Sequence, residues 1–152
     1  MNRWDKRYIL LAKEISHWSK DPSTKIGSVI VGNHGQILSQ GYNGFPRKLS
    51  DNPEEYENRT LKYQRVVHAE MNAIYNASLS GISLENSSIY IWGLPSCHEC
   101  AKGIIQTGIT KVVQVEDINE RWSESNRIAE QFYIQCGIEI LRFTPEQICD
   151  IV

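Results

Sequence analysis

From residue 68 to residue 143 the chain alternates between helix-period segments and short β-branched runs, and this alternation limits its fold more than any other feature. Residues 68–79 read as a helix closed near Gly81, Ser88-Ile89-Tyr90-Ile91-Trp92 as a strand, and residues 97–107 as a helix ending at Gly108. Lys111-Val112-Val113-Gln114-Val115 is the next strand. Residues 124–136 follow as a helix with Ile128, Phe132 and Cys136 on one stripe and Gly137 as a stop, before a last strand over 138–143. Strands joined through helices pair in parallel, because the connection is too long for a hairpin and returns the chain to the same edge.

The first forty residues differ. Trp4, Tyr8, Leu11, Ile15 and Trp18 fall on one helical stripe that must end before Asp21-Pro22. Runs at 26–31 and 36–40 flank Gly32-Asn33-His34-Gly35, which is hairpin turn chemistry. The expected fold is α/β: a three-layer αβα sandwich on a five-stranded mixed sheet, an N-terminal β-hairpin and then a parallel βαβαβ half, with helices on both faces. Residues 41–66 form a long connection interrupted by a short helix around 54–65, and connections of that length usually carry function. Too little chain lies on either side of it to fold alone, so residues 1–152 read as a single domain.

Composition excludes several classes. With 18 acidic and 16 basic side chains, a net charge of −2 argues against general electrostatic capture of nucleic acid or of an anionic membrane. No run approaches the ~18 consecutive apolar residues of a membrane span. No apolar segment follows Met1-Asn2-Arg3-Trp4-Asp5-Lys6 as a secretory signal requires, so the expected setting is the cytoplasm, where the four cysteines stay thiols.

Two of those cysteines are placed for chemistry. Cys97 and Cys100 stand three apart at an expected helix start, so both can grip one ion, and a helix N-terminus favours the thiolate. With one histidine they make three N/S ligands. No second CxxC and no HxxxH supplies a fourth, which leaves a position open for water, as in catalytic sites. His68-Ala69-Glu70 stands at another helix start. In mid-helix, side chains two apart diverge by about 200°, but at a first turn a histidine and a carboxylate can converge, the carboxylate reaching the activated water rather than the metal. Such a carboxylate can take a proton and return it elsewhere.

His-x-Glu followed by Pro and Cys-x-x-Cys is the signature of zinc-dependent nucleobase deaminases, in which the glutamate shuttles protons and is not a ligand. Three further pieces run in the order found in deoxycytidylate (dCMP) deaminases: Asp21-Pro22-Ser23-Thr24-Lys25-Ile26-Gly27, Gly41-Tyr42-Asn43-Gly44-Phe45-Pro46, and His68-Ala69-Glu70-Met71-Asn72-Ala73-Ile74 ahead of Cys97-His98-Glu99-Cys100-Ala101-Lys102. Over roughly residues 5–143 the chain resembles that family. One departure is visible: the proline that usually precedes the first cysteine is displaced to Pro95, which puts Ser96 there as an N-cap candidate.

The resemblance implies a cytidine-deaminase-like fold and the conversion of dCMP and water to dUMP and ammonia, feeding thymidylate synthesis. It implies one Zn2+ per chain on His68, Cys97 and Cys100, with Glu70 as the proton carrier. It implies that the backbone near Ala69 and Ser96 reads the ring edge, that Asn43 contacts the sugar hydroxyl, that the Ser23-Thr24-Lys25 turn holds the 5′-phosphate, and that Trp122 closes the pocket. Relatives form homo-oligomers, commonly hexamers, and many respond to dCTP and dTTP through the Gly-Tyr-Asn-Gly region.

Plainer readings stand beside these. Asn43-Gly44 can exist only to shape a turn, Lys25 can be solvated, and Trp122 can simply pack its helix. His17, His34, His98 and Lys102 read as surface residues, Cys136 as a small core residue, and Cys149 carries no chemistry. A tRNA adenosine deaminase shares the zinc signature, and Arg47, Lys48, Arg59, Lys62 and Arg65 form a basic cluster. Asp51, Glu54, Glu55 and Glu57 interleave with them, however, and the net charge is not basic, which ranks that reading below a mononucleotide. A structural zinc-binding module without turnover has no need of Glu70.

Overall fold

The computed structural model describes residues 1–116 and 123–149. Strand β1 (Gly27–Val31) lies between β2 (Ile37–Tyr42) and β3 (Ser88–Trp92) and pairs antiparallel with both. β4 (Lys111–Val115) and β5 (Glu139–Phe143) add in parallel, giving the order β2-β1-β3-β4-β5. The helices are α1 (Arg3–Ser16), α2 (Pro53–Glu57), α3 (Arg59–Arg65), α4 (Ala69–Leu79), α5 (His98–Gln106), α6 (Ser123–Gln135) and α7 (Glu146–Cys149). This is the expected mixed sheet with a hairpin at one side and a parallel half at the other.

Alternate strand residues serve opposite cores, as the two-residue period requires. Ile30, Ile89, Ile91 and Val112 pack against Ala73 and Ile74 of α4, Ile104 of α5 and Tyr133 of α6. Val29, Val31, Tyr90, Val113 and Phe143 pack against Ile9, Ala12 and Ile15 of α1 and Ile148 of α7. Helices therefore cover both faces. No helix among the described residues is long and apolar enough to cross a membrane.

Two helical stripes are rotated from those expected. On α1 the inward residues are Asp5, Ile9, Ala12, Ile15 and Ser16, whereas Trp4 and Trp18 remain 58% and 53% exposed. The cause is how closely α1 approaches β1: a Cβ on Gly27 would lie 2.0 Å from the Ala12 carbonyl oxygen. Only small or aliphatic side chains fit such a contact, so the indoles sit at its margins, Trp4 against Tyr8 and Trp18 edge-on to Tyr42. On α6 the buried residues are Asn126, Ala129 and Tyr133, and Cys136 is exposed rather than a core residue. Tyr133 sets that rotation, because its fully buried ring places its hydroxyl 2.7 Å from Ser96 Oγ.

A buried ionic knot fixes α1 to the sheet. Asp5 is 2% exposed; its Oδ1 accepts from Tyr90 OH at 2.8 Å and Lys111 Nζ at 2.9 Å, and its Oδ2 from the Asn2 N–H at 3.0 Å. Burial pushes the carboxyl pKa up, but the bonds from Lys111, Asn2 and Tyr90 outweigh it, and the net position is below the ordinary 3.8. Asp5→Asn is expected to cost about 3 kcal/mol at neutral pH, since it leaves the half-buried Lys111 ammonium without its counter-charge. A carboxyl whose pKa is lower folded than unfolded contributes fully above the unfolded value and loses that contribution as pH falls through the folded one. Urea melts of the two proteins should therefore differ by a constant gap at higher pH that narrows only below 3.8. A gap that persists in strong acid removes the ion pair as its cause.

Candidate active site

α4 is seated on the hairpin by hydrogen bonds and by a missing side chain. A Cβ at Gly41 would lie 2.3 Å from the Ala73 nitrogen and 2.5 Å from the Ala69 carbonyl oxygen, so only glycine lets β2 meet the helix backbone. Ser28 Oγ donates to the Ala69 carbonyl at 2.8 Å and Ser39 Oγ to that of Ala73 at 2.6 Å. Asn72 Nδ2 donates to the Tyr42 carbonyl and Asn76 Nδ2 to that of Gln40, each at 2.7 Å. These bonds hold the first turn of α4 in one register with the sheet.

His68 is the N-cap residue of α4, extended at φ −66° and ψ 154°, so its ring leaves the helix and can share a focus with Glu70 in the first turn. α5 opens in the same way on Cys97, whose Sγ accepts from the Cys100 N–H at 3.4 Å. Both sulfurs lie 3.4 Å from His68 Nδ1, and the three donor atoms all fall within 4.8 Å of one another. A tetrahedral zinc with Zn–N of about 2.05 Å and Zn–S of about 2.3 Å needs N···S separations of about 3.6 Å, so the donor set fits that ion. Two helix N-termini point at it, which favours thiolate.

The three donors divide their protons unequally. The Cys100 hydrogen bond, opposed by burial and reinforced by His68, brings the Cys97 thiol down to about 4. The same Cys97 contact, with burial, pushes Cys100 up. His68 rises to about 9, chiefly through Cys97. A metal ion held here would displace the His68 and Cys100 protons, because both must be lost before these side chains can ligate. Glu70 is 3% exposed, and burial raises its carboxyl pKa against the pull of His68.

His68, Cys97 and Glu70 line a cavity of about 490 Å3. Another wall comes from Asp21 to Ile26 and from Arg59, Lys62 and Tyr63 of α3, with Asn43, Leu94, Pro95 and Asn126 completing it. Asp21 is fully buried there. Its Oδ1 accepts from the Ser23 N–H at 2.9 Å, the Ser23 hydroxyl at 3.0 Å and the Thr24 N–H at 3.2 Å, and its Oδ2 pairs with Lys62 Nζ at 2.7 Å. Burial raises this carboxyl, yet Lys62 and the two amides hold it below the usual carboxylate range.

Residues 2–116 match the cytidine and deoxycytidylate deaminase zinc-binding region. The chain belongs to that family. It is 41% identical over 143 residues to an uncharacterised deaminase in the luxG 3′ region of Aliivibrio fischeri, covering 92% of this chain and 93% of that one. It is 35% identical over 148 residues to the deoxycytidylate deaminase of Mus musculus, covering 94% and 81%. Among solved structures, dCMP deaminase from the cyanophage S-TIM5 superposes with a TM-score of 0.75 at 27% identity, covering 94% of this chain and 100% of that one; the same enzyme was also solved in complex with dCMP and dUMP.

Among the described residues, the expected site residues of this deaminase-family chain fall into three groups. His68, Cys97, Cys100 and Glu70 converge. Ser23, Thr24, Lys25 and Asn43 line the cavity but are engaged with the protein: the Ser23 and Thr24 donors close on Asp21, Lys25 Nζ donates to the Ser19 carbonyl, and Asn43 accepts from the Ile26 N–H and donates to the Thr24 carbonyl, each at 2.8 Å. Asn43 thus braces the turn expected to receive a phosphate. Ala69 and Ser96 are fully buried. Ser96 is not the N-cap of α5, a place taken by Cys97; its N–H and hydroxyl reach Gln114 Oε1 at 3.0 and 3.1 Å, anchoring the turn before the cysteines. Trp122 lies outside the described residues.

Sequence reasoning passed over Asp21, Arg59, Lys62 and Asn126 as cavity residues. Arg59 and Lys62 carried a usable signal, being three apart and so on one helix face. Within the basic cluster they belonged to, Arg65 pairs with Glu55 at 3.2 Å and Lys62 with Asp21 at 2.7 Å, while Arg47 hydrogen-bonds the Asn76 side chain. His98 accordingly has a local role: its N–H donates to Ser125 Oγ at 3.1 Å and its Nδ1 lies 2.7 Å from the same oxygen.

Proposed function

We propose that this chain hydrolyses dCMP to dUMP and ammonia, acting as a single domain over residues 1–152 in the cytoplasm and supplying dUMP for thymidylate synthesis. The observation that carries this reading is the focus of His68 Nδ1, Cys97 Sγ and Cys100 Sγ within 4.8 Å beside a buried Glu70, in a cavity of mononucleotide scale. The deoxycytidylate deaminases among its relatives support the choice of substrate.

His68, Cys97 and Cys100 would hold one Zn2+, which would supply the Lewis acidity that makes water nucleophilic near neutral pH. Glu70 does the proton work. It takes a proton from the attacking water and places it on N3 as the C4–O bond forms. It then moves the proton of the new C4 hydroxyl to the amino nitrogen, and the C4–N bond breaks to leave the C4 carbonyl of dUMP and ammonia. A buried carboxyl with a raised pKa suits both directions of transfer. Asn43 stands by the sugar, its amide oxygen keeping a second lone pair. Because Asp21 already fills the Ser23 and Thr24 amides and pairs with Lys62, and Lys25 is held by the Ser19 carbonyl, the cation placed to receive the 5′-phosphate is Arg59.

Ammonia release from dCMP, deoxycytidine, dCTP and an adenosine-bearing tRNA anticodon stem tests the reading. Turnover is expected on dCMP with little on deoxycytidine; turnover of the tRNA stem alone overturns the proposal. Arg59→Met is expected to raise KM for dCMP about tenfold by deleting a charge-assisted contact, with the weak deoxycytidine rate unchanged. Equal effects on both substrates would remove Arg59 from phosphate binding. A hollow of about 320 Å3 bounded by Tyr42, Gly44, Phe45, Asn72 and Tyr75 adjoins the Gly-Tyr-Asn-Gly segment and supports an effector role there. Velocity curves with added dCTP or dTTP, and the mass of the protein in solution, decide regulation and the homo-oligomer.

A further inference from the structure

Asn126 of α6 is 5% exposed and lines the cavity together with Glu70, His68 and Cys97. Among the described residues its Nδ2 has no hydrogen-bond partner. Buried amide donors are almost always paired, because an unfilled one keeps its desolvation cost. The neighbouring Ser125 Oγ is engaged with His98, accepting from its N–H at 3.1 Å. The Ser125–His98 contact also places this part of α6 beside the turn that carries Cys97, on the metal-donor wall and not on the cationic wall of α3.

We propose that Asn126 is a specificity-determining residue whose carboxamide N–H donates to an oxygen carried by the pyrimidine ring of the bound nucleotide. The inference rests on the nucleotide reading above. An amide –NH2 can only donate, so it selects an acceptor. N3 is the atom that Glu70 serves, and the other acceptor of cytosine is its C2 carbonyl oxygen. A cytidylate bearing a hydroxymethyl group at C5 offers a second oxygen of the same chemistry.

Asn126→Leu and Asn126→Asp, assayed with dCMP and 5-hydroxymethyl-dCMP alongside Tm without nucleotide, test it. Leucine is close in size and removes an unfilled donor, so Tm is expected to hold or rise while KM rises about tenfold at constant kcat. Aspartate turns the donor into an acceptor facing an acceptor, and KM should rise further. Equal rises on the two substrates assign the C2 carbonyl; a rise confined to the hydroxymethyl substrate assigns the C5 oxygen. Unchanged KM on both substrates, whether Tm falls or holds, overturns the inference. Failure of the parent protein to turn over dCMP is a separate result and sinks the nucleotide reading instead.

Discussion

Glu70→Gln is expected to lower kcat by about 10³-fold or more while zinc content stays at one per chain. Glutamine keeps the volume and the hydrogen-bonding reach of the carboxyl but cannot carry a proton between water, N3 and the leaving nitrogen. In the proposed mechanism two proton relays depend on that one group, so the loss falls on kcat, with KM for dCMP little changed. Metal content is the necessary companion measurement, because Glu70 lies outside the His68, Cys97 and Cys100 set. Activity that survives the substitution sinks the proton-carrier role. Loss of zinc together with activity assigns Glu70 to metal retention instead.

The architecture was legible where local pattern and global pairing agree. β3 and β4 are short apolar runs between helices, and each appears over the expected residues. The rotation of α1 was not legible, because it depends on Gly27 meeting the Ala12 carbonyl across the layer, and hydrophobic spacing within one helix holds no information about its neighbour's backbone. The same applies to α6, where the inward face follows Tyr133 and its bond to Ser96 rather than the stripe of Ile128, Phe132 and Cys136.

For the site, the His68, Cys97 and Cys100 group that could hold a metal was legible because such chemistry needs particular residue types at helix starts, and the N-cap conformations of His68 and Cys97 supply the convergence. The substrate wall was not. Ser23, Thr24 and Lys25 look like an anion cradle in one dimension, yet the anion that fills the two amides is the side chain of Asp21, two and three residues earlier. Lys62 comes from a helix 39 residues beyond Ser23 and is drawn in by that same carboxylate. Turn chemistry alone does not say whether a turn's donors are for a ligand or for the turn itself.

Gly41→Ala and Gly27→Ala are each expected to lose about 3 kcal/mol of stability, since a methyl group at either position overlaps helix backbone that cannot yield like a side chain. Their effects on catalysis should separate. Gly27 faces α1, on the side of the sheet away from the metal donors, so the folded fraction of Gly27→Ala keeps its kcat. Gly41 faces Ala69 and Ala73, so an added methyl lifts the first turn of α4 and moves His68 and Glu70 relative to Cys97 and Cys100. A displacement near 1 Å at reacting groups can cost about 10²-fold in rate, and that is the expected fall in kcat per folded molecule for Gly41→Ala. If that variant does not accumulate, Ser28→Ala addresses the same seat without a clash: it deletes the 2.8 Å bond to the Ala69 carbonyl for about 1 kcal/mol. It should lower kcat more than Gly27→Ala does. Equal kcat in Gly41→Ala or Ser28→Ala and in the parent, measured against folded protein, would show that α4 holds its catalytic turn without the hairpin.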